Sequence, residues 1–154
     1  MSLLDVAVAK TQMLIRRPVA DVFDAFVDPS ITTNFWFTKS SGRLEAGRDL
    51  TWEWEMYGAV GHLHVKAVEE NRRILIEWDD PATSVEWIFE PRSEKSTLVR
   101  ITNWGFHGDE GQIVAQAIDS MGGFAYVLAG LKAYLEHGIK LNLIADHHPP
   151  AAED

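Results

Sequence analysis

Two histidines lie two residues apart, at positions 62 and 64, and two glutamates have the same spacing at 53 and 55. Side chains two residues apart on a strand lie on the same face, so His62 and His64 share one face. Glu53 and Glu55 are inferred to share that face on the neighbouring strand. Such groups could bind zinc. No third histidine is placed to join them, and cross-strand pairs on a solvated face explain the pattern, so we predict no metal site.

Acid–base catalysis would need a carboxylate or an imidazole inside a pocket, with a pKa shifted by burial. The candidates are Asp79, Asp80, Glu86 and His107. Alternation places Glu86 on the outer face of its strand, and the Asp-Asp-Pro run at 79–81 is typical of a turn. His107 lies in a loop that could cover a pocket entrance, although a solvated loop histidine is the simpler interpretation. We predict no catalytic residue, and an enzymatic alternative would use His107.

Several other chemistries find no support in the sequence. It contains no cysteine, which excludes disulfides, thiolate metal sites and thiol nucleophiles. No G-x-S-x-G motif occurs. The glycines at 105–111 match neither G-x-G-x-x-G nor a phosphate-binding loop. We therefore predict no cofactor.

The charge pattern excludes further partners. The net charge is −9 and the basic residues are scattered, so a nucleic-acid backbone would be repelled. No run approaches the ~20 apolar residues of a membrane span, and no secretion leader is recognisable. We expect a cytoplasmic protein that does not cross a membrane.

These side chains must be positioned by a sheet, because apolar and polar residues alternate along much of the chain. A β-branched run predicts a first strand, and alternation predicts five more, each with one wet face; the six cover residues 6–15, 49–55, 60–68, 73–78, 84–90 and 97–104. The large residues on the inner face are Trp52, Trp54, Trp78, Trp87 and Phe89.

Two short helices are predicted between the first strand and the rest. Pro18 opens the first at its first helical position, and Asp28-Pro29 ends it. The second covers Ser30 to Phe35.

One long helix follows the last strand, from about Gln112 to Glu136. Asp109 is its expected N-cap, in a capping box with Gln112, and Gly138 fits the position just past its end. Its apolar stripe turns three large side chains towards the sheet, namely Met121, Phe124 and Leu128.

The element order predicts an α+β protein with a helix-grip fold. A curved antiparallel sheet of about six or seven strands would wrap round the long C-terminal helix. Residues 1–140 would form one domain, and 141–154 a loosely ordered polar tail.

The inward aromatic residues could fill a solid core or line a cavity, and their spacing leaves both open. Gly122 and Gly123 sit in mid-helix at a cost of about 1–2 kcal/mol relative to alanines. They could allow a close approach to the sheet, a bend, or room for a ligand. Asn103 shares the inner face with Val99 and Ile101, and its amide must find partners, either in nearby backbone or as the polar anchor of a pocket.

The run RPVADVFDAFVDP at 17–29, followed by Phe35-Trp36, resembles the opening of the START-like (SRPBCC) superfamily. The most similar branch is the bacterial set that resembles the C-terminal domain of the Hsp90 ATPase activator. The late strand TLVRITN at 97–103 and the helix from Gly122 to Glu136 extend the resemblance over nearly the whole chain. The resemblance implies a helix-grip fold with a hydrophobic tunnel beneath the long helix.

The resemblance also implies positions for the tunnel lining. Phe35 and Trp36 would lie at its mouth, and the sheet and the helix would provide its walls. With the inner face deduced above, the expected ligand-binding residues are Phe35, Trp36, Trp52, Trp54, Trp78, Trp87, Phe89, Asn103, Met121, Phe124 and Leu128.

The leading functional prediction is a module that binds a small hydrophobic or aromatic ligand. One alternative is an aromatase/cyclase-type enzyme that uses the same pocket with His107. Another is a protein-interaction domain with Trp36 in an exposed patch, either a homodimer or an Hsp90-related co-chaperone. Eukaryotic activators carry a separate N-terminal domain that this sequence lacks, so the co-chaperone role is not expected to transfer.

Overall fold

The computed structural model describes residues 7–152. Seven antiparallel strands form one sheet in the order β1-β7-β6-β5-β4-β3-β2. The strands are β1 (Ala9–Ile15), β2 (Lys39–Ser40), β3 (Asp49–Trp54), β4 (Ala59–Glu69), β5 (Arg73–Trp78), β6 (Thr83–Ser93) and β7 (Ser96–Trp104). The helices are α1 (Val19–Val27), α2 (Pro29–Thr32), α3 (Glu110–His137) and α4 (Leu143–His147). This is the predicted α+β architecture, with α3 as the long helix.

The strand predictions are confirmed, with small shifts at the ends. β1 begins at Ala9, and Val6 of the predicted strand lies outside the described residues. The short strand β2 was not predicted, because two residues are too few to show alternation. Glu55 belongs to a 3-10 turn, Glu55–Tyr57, that follows β3. It therefore does not share a strand face with Glu53, as the sequence analysis inferred.

Local sequence signals set both ends of α3. The Asp109 carboxylate accepts a hydrogen bond from the Gln112 backbone N–H at 2.8 Å, and the Gln112 side chain accepts one from the Asp109 N–H at 2.9 Å. Gly138 ends the helix with a left-handed φ of 67°, a conformation that glycine adopts without a Cβ penalty. The predicted cap residues are thus confirmed, although the helix starts two residues earlier and ends one later than predicted.

The short helices differ slightly from their predictions. Pro18 is the residue before α1 rather than its first helical residue. The second helix covers Pro29–Thr32 instead of Ser30 to Phe35, so Phe35 and Trp36 lie beyond its end.

The chain after residue 141 is not loose throughout, which corrects the expected tail. Leu143–His147 forms the helix α4, and Ile144 packs against the hydrophobic core. Composition suggested a loose tail because polar residues and prolines dominate it, but the partly buried Ile144 side chain packs this short segment against the core.

Beneath the C-terminal half of α3 the interior is solid. Leu128 and Leu131 are fully buried there, and Trp87 and Phe89 rise from β6 with 1% and 2% exposure. Phe26 of α1 packs on both rings at centroid distances of 5.9 Å. The filled-core interpretation is therefore right for this half of the molecule.

Glu136 anchors the last turn of α3 to the end of strand β1 and to the residue that follows it. Its carboxylate accepts hydrogen bonds from the Arg16 backbone N–H at 3.0 Å and from the Lys132 ammonium at 2.7 Å. Lys132 also donates to the Leu14 carbonyl at 2.8 Å. Burial alone would raise the pKa of Glu136, but these two partners outweigh it and hold the pKa below its ordinary value.

We expect Glu136→Gln to lower the free energy of unfolding by about 1–3 kcal/mol at pH 7, the usual cost of losing charge-assisted bonds. A depressed folded-state pKa stabilises above the unfolded value, about 4.3 for glutamate, and that contribution is lost as the pH falls through the folded value. The difference between wild type and variant should therefore shrink below about pH 4. Urea titrations at pH 7 and at steps down to pH 3 measure it. If the difference in the free energy of unfolding between wild type and variant stays constant with pH, the Glu136 carboxylate is not the cause of the stabilisation.

Candidate functional site

A pocket of about 480 Å³ opens beneath the N-terminal half of α3, within the usual size range of small-molecule sites. It lies at the end of the sheet where β5 and β7 finish and β6 begins. The turn at 79–81, the loop at 106–107 and the helix α4 surround its entrance. The cavity interpretation is therefore right for this half of the molecule, beside the filled half.

Aromatic side chains form the inner wall of the pocket. Trp36, Trp54, Trp78 and Phe124 all line it. The ring centroids of Trp78 and Phe124 are 5.8 Å apart with the planes nearly parallel, and Trp36 lies 5.7 Å from Phe124 and 6.1 Å from Trp78. Each ring is held by another, so the wall is ordered without a ligand.

Two indole nitrogens in this region, Trp78 Nε1 and Trp87 Nε1, are buried and have no hydrogen-bond partner within residues 7–152. An unpaired buried donor costs about 1–3 kcal/mol. The Trp78 ring borders the pocket, whereas the Trp87 ring lies in the filled core. Only Trp78 therefore combines an unused donor with a place on the pocket wall.

Asn103 ties the floor of the pocket together. Its amide nitrogen donates to Thr83 Oγ1 at 3.1 Å and to the Ser84 carbonyl at 2.7 Å. Its amide oxygen accepts from the Ser120 hydroxyl of α3 at 2.7 Å. The side chain thus joins β6, β7 and α3, which supports the structural role that the sequence left open beside the anchor role.

The two mid-helix glycines face different surroundings. Gly123 lines the pocket and Gly122 is exposed, and a Cβ atom added at either would meet no atom within 4 Å. A close approach to the sheet therefore does not explain them. A close approach occurs instead at Gly130, where an added Cβ would lie 3.3 Å from the Phe35 backbone oxygen, in the segment that follows α2. Gly123 thus leaves space in the pocket, as one of the predicted alternatives held.

Carboxylates surround the entrance. Asp79, Asp80 and Asp119 line the pocket, and we call these three residues the acidic rim. Burial raises the pKa of the Asp79 carboxyl, because the protein around it removes water from the charged form. The turn at 79–81 that the sequence predicted therefore also belongs to the site.

His107, the catalytic candidate, lies at the entrance and is exposed. Its Nε2 is 3.0 Å from the Ala82 carbonyl. A ring nitrogen facing a carbonyl must carry the proton, so Nε2–H is the donor. Gln116 donates to the His107 backbone carbonyl at 2.7 Å. These bonds fix the loop against α3 and leave Nδ1 as the remaining ring nitrogen.

The helix α4 covers one side of the pocket. Ile144, His147 and His148 line it, and the Tyr57 hydroxyl donates to the Ile144 carbonyl. The His147 ring lies 4.6 Å from the ring of Tyr126 on α3. The sequence analysis missed these residues, and the signal it passed over was the short apolar run Leu143-Ile144-Ala145 within the tail.

Several predicted lining residues are not on the pocket wall. Phe35, Trp52, Trp87, Phe89 and Leu128 point inward as predicted but belong to the filled core. Alternation tells which face a side chain takes, not whether the space it faces is occupied. The structure brings Trp36, Trp54, Trp78, Asn103 and Phe124 together at the pocket, five of the eleven predicted residues.

Two placements are opposite to the prediction. Met121 is 45% exposed, because no element within residues 7–152 covers its part of the α3 stripe. Trp36 is only 7% exposed, so the exposed patch that the protein-interaction alternative assigned to it does not exist. Its ring is instead enclosed by the aromatic cluster.

The outer sheet face carries the histidine and carboxylate pattern noted in the sequence. His64 Nδ1 lies 2.8 Å from an Asp49 oxygen, and Lys39 pairs with Glu53 at 3.5 Å. No group of three or more His, Asp or Glu side chains suited to a metal occurs within residues 7–152. The described contacts are the cross-strand pairs that the sequence analysis favoured.

The seven-stranded antiparallel sheet gripped by one long C-terminal helix, with a pocket between them, defines a helix-grip protein of the START-like class. The family model for activator of Hsp90 ATPase homolog 1-like proteins matches residues 16–136. The chain belongs to this family, which confirms the resemblance inferred from the sequence.

Solved structures agree with this assignment. Protein SSP2350 from Staphylococcus saprophyticus is 36% identical over 87% of this chain and 95% of its own, with a TM-score of 0.76. DynU16, from the dynemicin biosynthetic locus, is 20% identical over 87% of this chain and 49% of its own, with a TM-score of 0.76. The Aha1 dimer from Colwellia psychrerythraea is 17% identical over 85% and 97%, with a TM-score of 0.73. The last two show a shared fold. The curated proteins contain no match to the chain.

Proposed function

We propose that this protein binds a small, largely apolar or aromatic molecule in the pocket beneath α3. The observation that carries the proposal is a space of about 480 Å³ walled by ordered aromatic rings. Removal of apolar ligand surface from water there would supply about 25 cal/mol per Å². Because the rings already hold one another, little ordering energy would be spent on binding.

Two further features support a ligand rather than a packing gap. Gly123 leaves its part of the pocket open at a cost in helix stability. The Trp78 ring borders the pocket and its N–H is buried without a partner within residues 7–152, so a ligand oxygen that reached this donor after a ring rotation would recover the cost of leaving it unused.

The test is titration with N-phenyl-1-naphthylamine, a neutral probe whose emission rises in apolar surroundings. We expect saturable one-to-one binding and quenching of tryptophan emission. At a free probe concentration 100 times the Kd, binding should add about 2.7 kcal/mol to the stability, seen as a raised Tm. No saturable binding, together with an unchanged Tm across lipids, polyketides and flavonoids, would contradict the proposal.

The cyclase-type alternative would use His107, whose Nε2 is engaged with the Ala82 carbonyl. A homodimer would agree with the dimeric form of the Colwellia neighbour. The helix α3 is long and apolar enough to satisfy the simplest criteria for a membrane span. The buried residues of this helix lie between Ala117 and Leu131 and pack against the rest of the fold, as in a core helix. The cytoplasmic location rests on the sequence alone.

A further inference from the structure

The fixed charges around the pocket all have one sign. The acidic rim supplies three carboxylates, and no lysine or arginine of residues 7–152 lines the pocket. Three histidines, His107, His147 and His148, are the other titratable groups there that can carry a positive charge. The net charge of −9 adds a negative field at longer range.

The rim carboxylates also lack ion-pair partners, unlike several other acidic residues among 7–152. Asp21 pairs with Arg17 at 2.8 Å, and Glu86 pairs with Arg73 at 2.7 Å on the outer sheet face. Asp79, Asp80 and Asp119 form no ion pair with any residue between 7 and 152. Burial raises the pKa of Asp79 with no opposing charge nearby, so a cation beside it would be stabilising.

The aromatic wall suits the same chemistry. The negative faces of indole rings attract an ammonium group, by about 0.5–1 kcal/mol at exposed sites and about 2 kcal/mol when the pair is desolvated. Trp54 and Trp78, which are only partly buried, provide two such rings in the pocket wall. A fatty-acid carboxylate would meet these carboxylates instead and be repelled.

We propose that the pocket takes an apolar or aromatic molecule that carries a cationic amino group. This specificity rests on the ligand-binding function proposed above. The site is the cavity itself, and its apolar walls bind the body of the ligand. The acidic rim and the indole faces together determine the charge of the ligand.

Three probes of nearly equal shape separate charge from burial: 1-naphthylmethylamine (cationic), 1-naphthylmethanol (neutral) and 1-naphthoate (anionic). Titrations are run at pH 8, where free imidazole is neutral, and at low salt. We expect the amine to bind about three- to tenfold more tightly than the alcohol, since partly exposed charges contribute modestly. The naphthoate should bind more weakly than the alcohol, and the amine preference should fall with added salt.

The variants Asp79→Asn and Asp119→Asn, and their double variant, test the rim. Glu94→Gln is the matched control, because it removes one charge from the β6–β7 turn, at the other end of the sheet from the pocket. The double variant should lose most of the preference for the amine, and the control should keep it.

Three results would overturn the inference. The wild type could bind the amine and the alcohol with equal affinity, the double variant could keep the wild-type ratio of these two affinities, or the naphthoate could bind more tightly than the alcohol. In each case binding of the alcohol would leave the proposed function standing. If none of the three probes nor N-phenyl-1-naphthylamine binds, the proposed function fails and this inference fails with it.

Discussion

Replacing Trp36 by alanine should lower the free energy of unfolding by about 3–5 kcal/mol, the range for large aromatic side chains removed from a core. The ring is the centre of the aromatic cluster that joins α1, the sheet and α3. It lies 4.9 Å from Trp52, 6.0 Å from Trp87 and 5.7 Å from Phe124. Its loss would remove edge contacts to rings from three elements, and those rings cannot all close the gap.

The matched control for this substitution is Trp104→Ala. Trp104 follows the inward Asn103 on β7, takes the opposite face and is only partly buried. We expect a loss of about 1 kcal/mol there. Chemical denaturation of both variants, with m-values checked for two-state behaviour, gives the comparison. Equal losses would show that the cluster does not depend on its central ring.

The inner face of the sheet could be predicted because its signal is local. Side chains alternate along a strand with a period of two, so the burial of Trp52, Trp87 and Ile101 follows from spacing alone. The caps of α3 are equally local, since Asp109 and Gln112 contact each other within one turn.

The boundary between filled core and open pocket could not be predicted, because it depends on which distant elements reach the same space. Trp78 and Trp87 both point inward from neighbouring strands. Phe26 of α1 reaches Trp87, whereas the Trp78 ring borders the pocket. Met121 shows the same limit on the helix, because a stripe is buried only where another element covers it.

The acidic rim also escaped prediction as a unit. Asp79 and Asp80 belong to a sequence that is typical of a turn, and Asp119 lies in a helix forty residues further along the chain. Only the packing of α3 over the ends of β5 and β7 brings these carboxylates to one pocket.

The substitution Gly123→Leu should strongly weaken ligand binding while leaving the fold intact. A side chain at this position would extend into open space, because an added Cβ meets no atom within 4 Å and the residue lines the pocket. Four side-chain carbons there would occupy volume that a ligand needs. Replacing a mid-helix glycine should also raise stability by about 0.5–1 kcal/mol.

Gly122→Leu is the control, because it makes the same change one residue earlier, on the exposed face of α3. It should gain similar helix stability and keep the wild-type affinity for N-phenyl-1-naphthylamine. Gly123→Leu should weaken that affinity by about 100-fold or more, which corresponds to about 2.7 kcal/mol. Reading Tm and probe affinity on the same samples separates the two effects. If Gly123→Leu binds the probe as tightly as Gly122→Leu, the ligand does not occupy the space beneath α3.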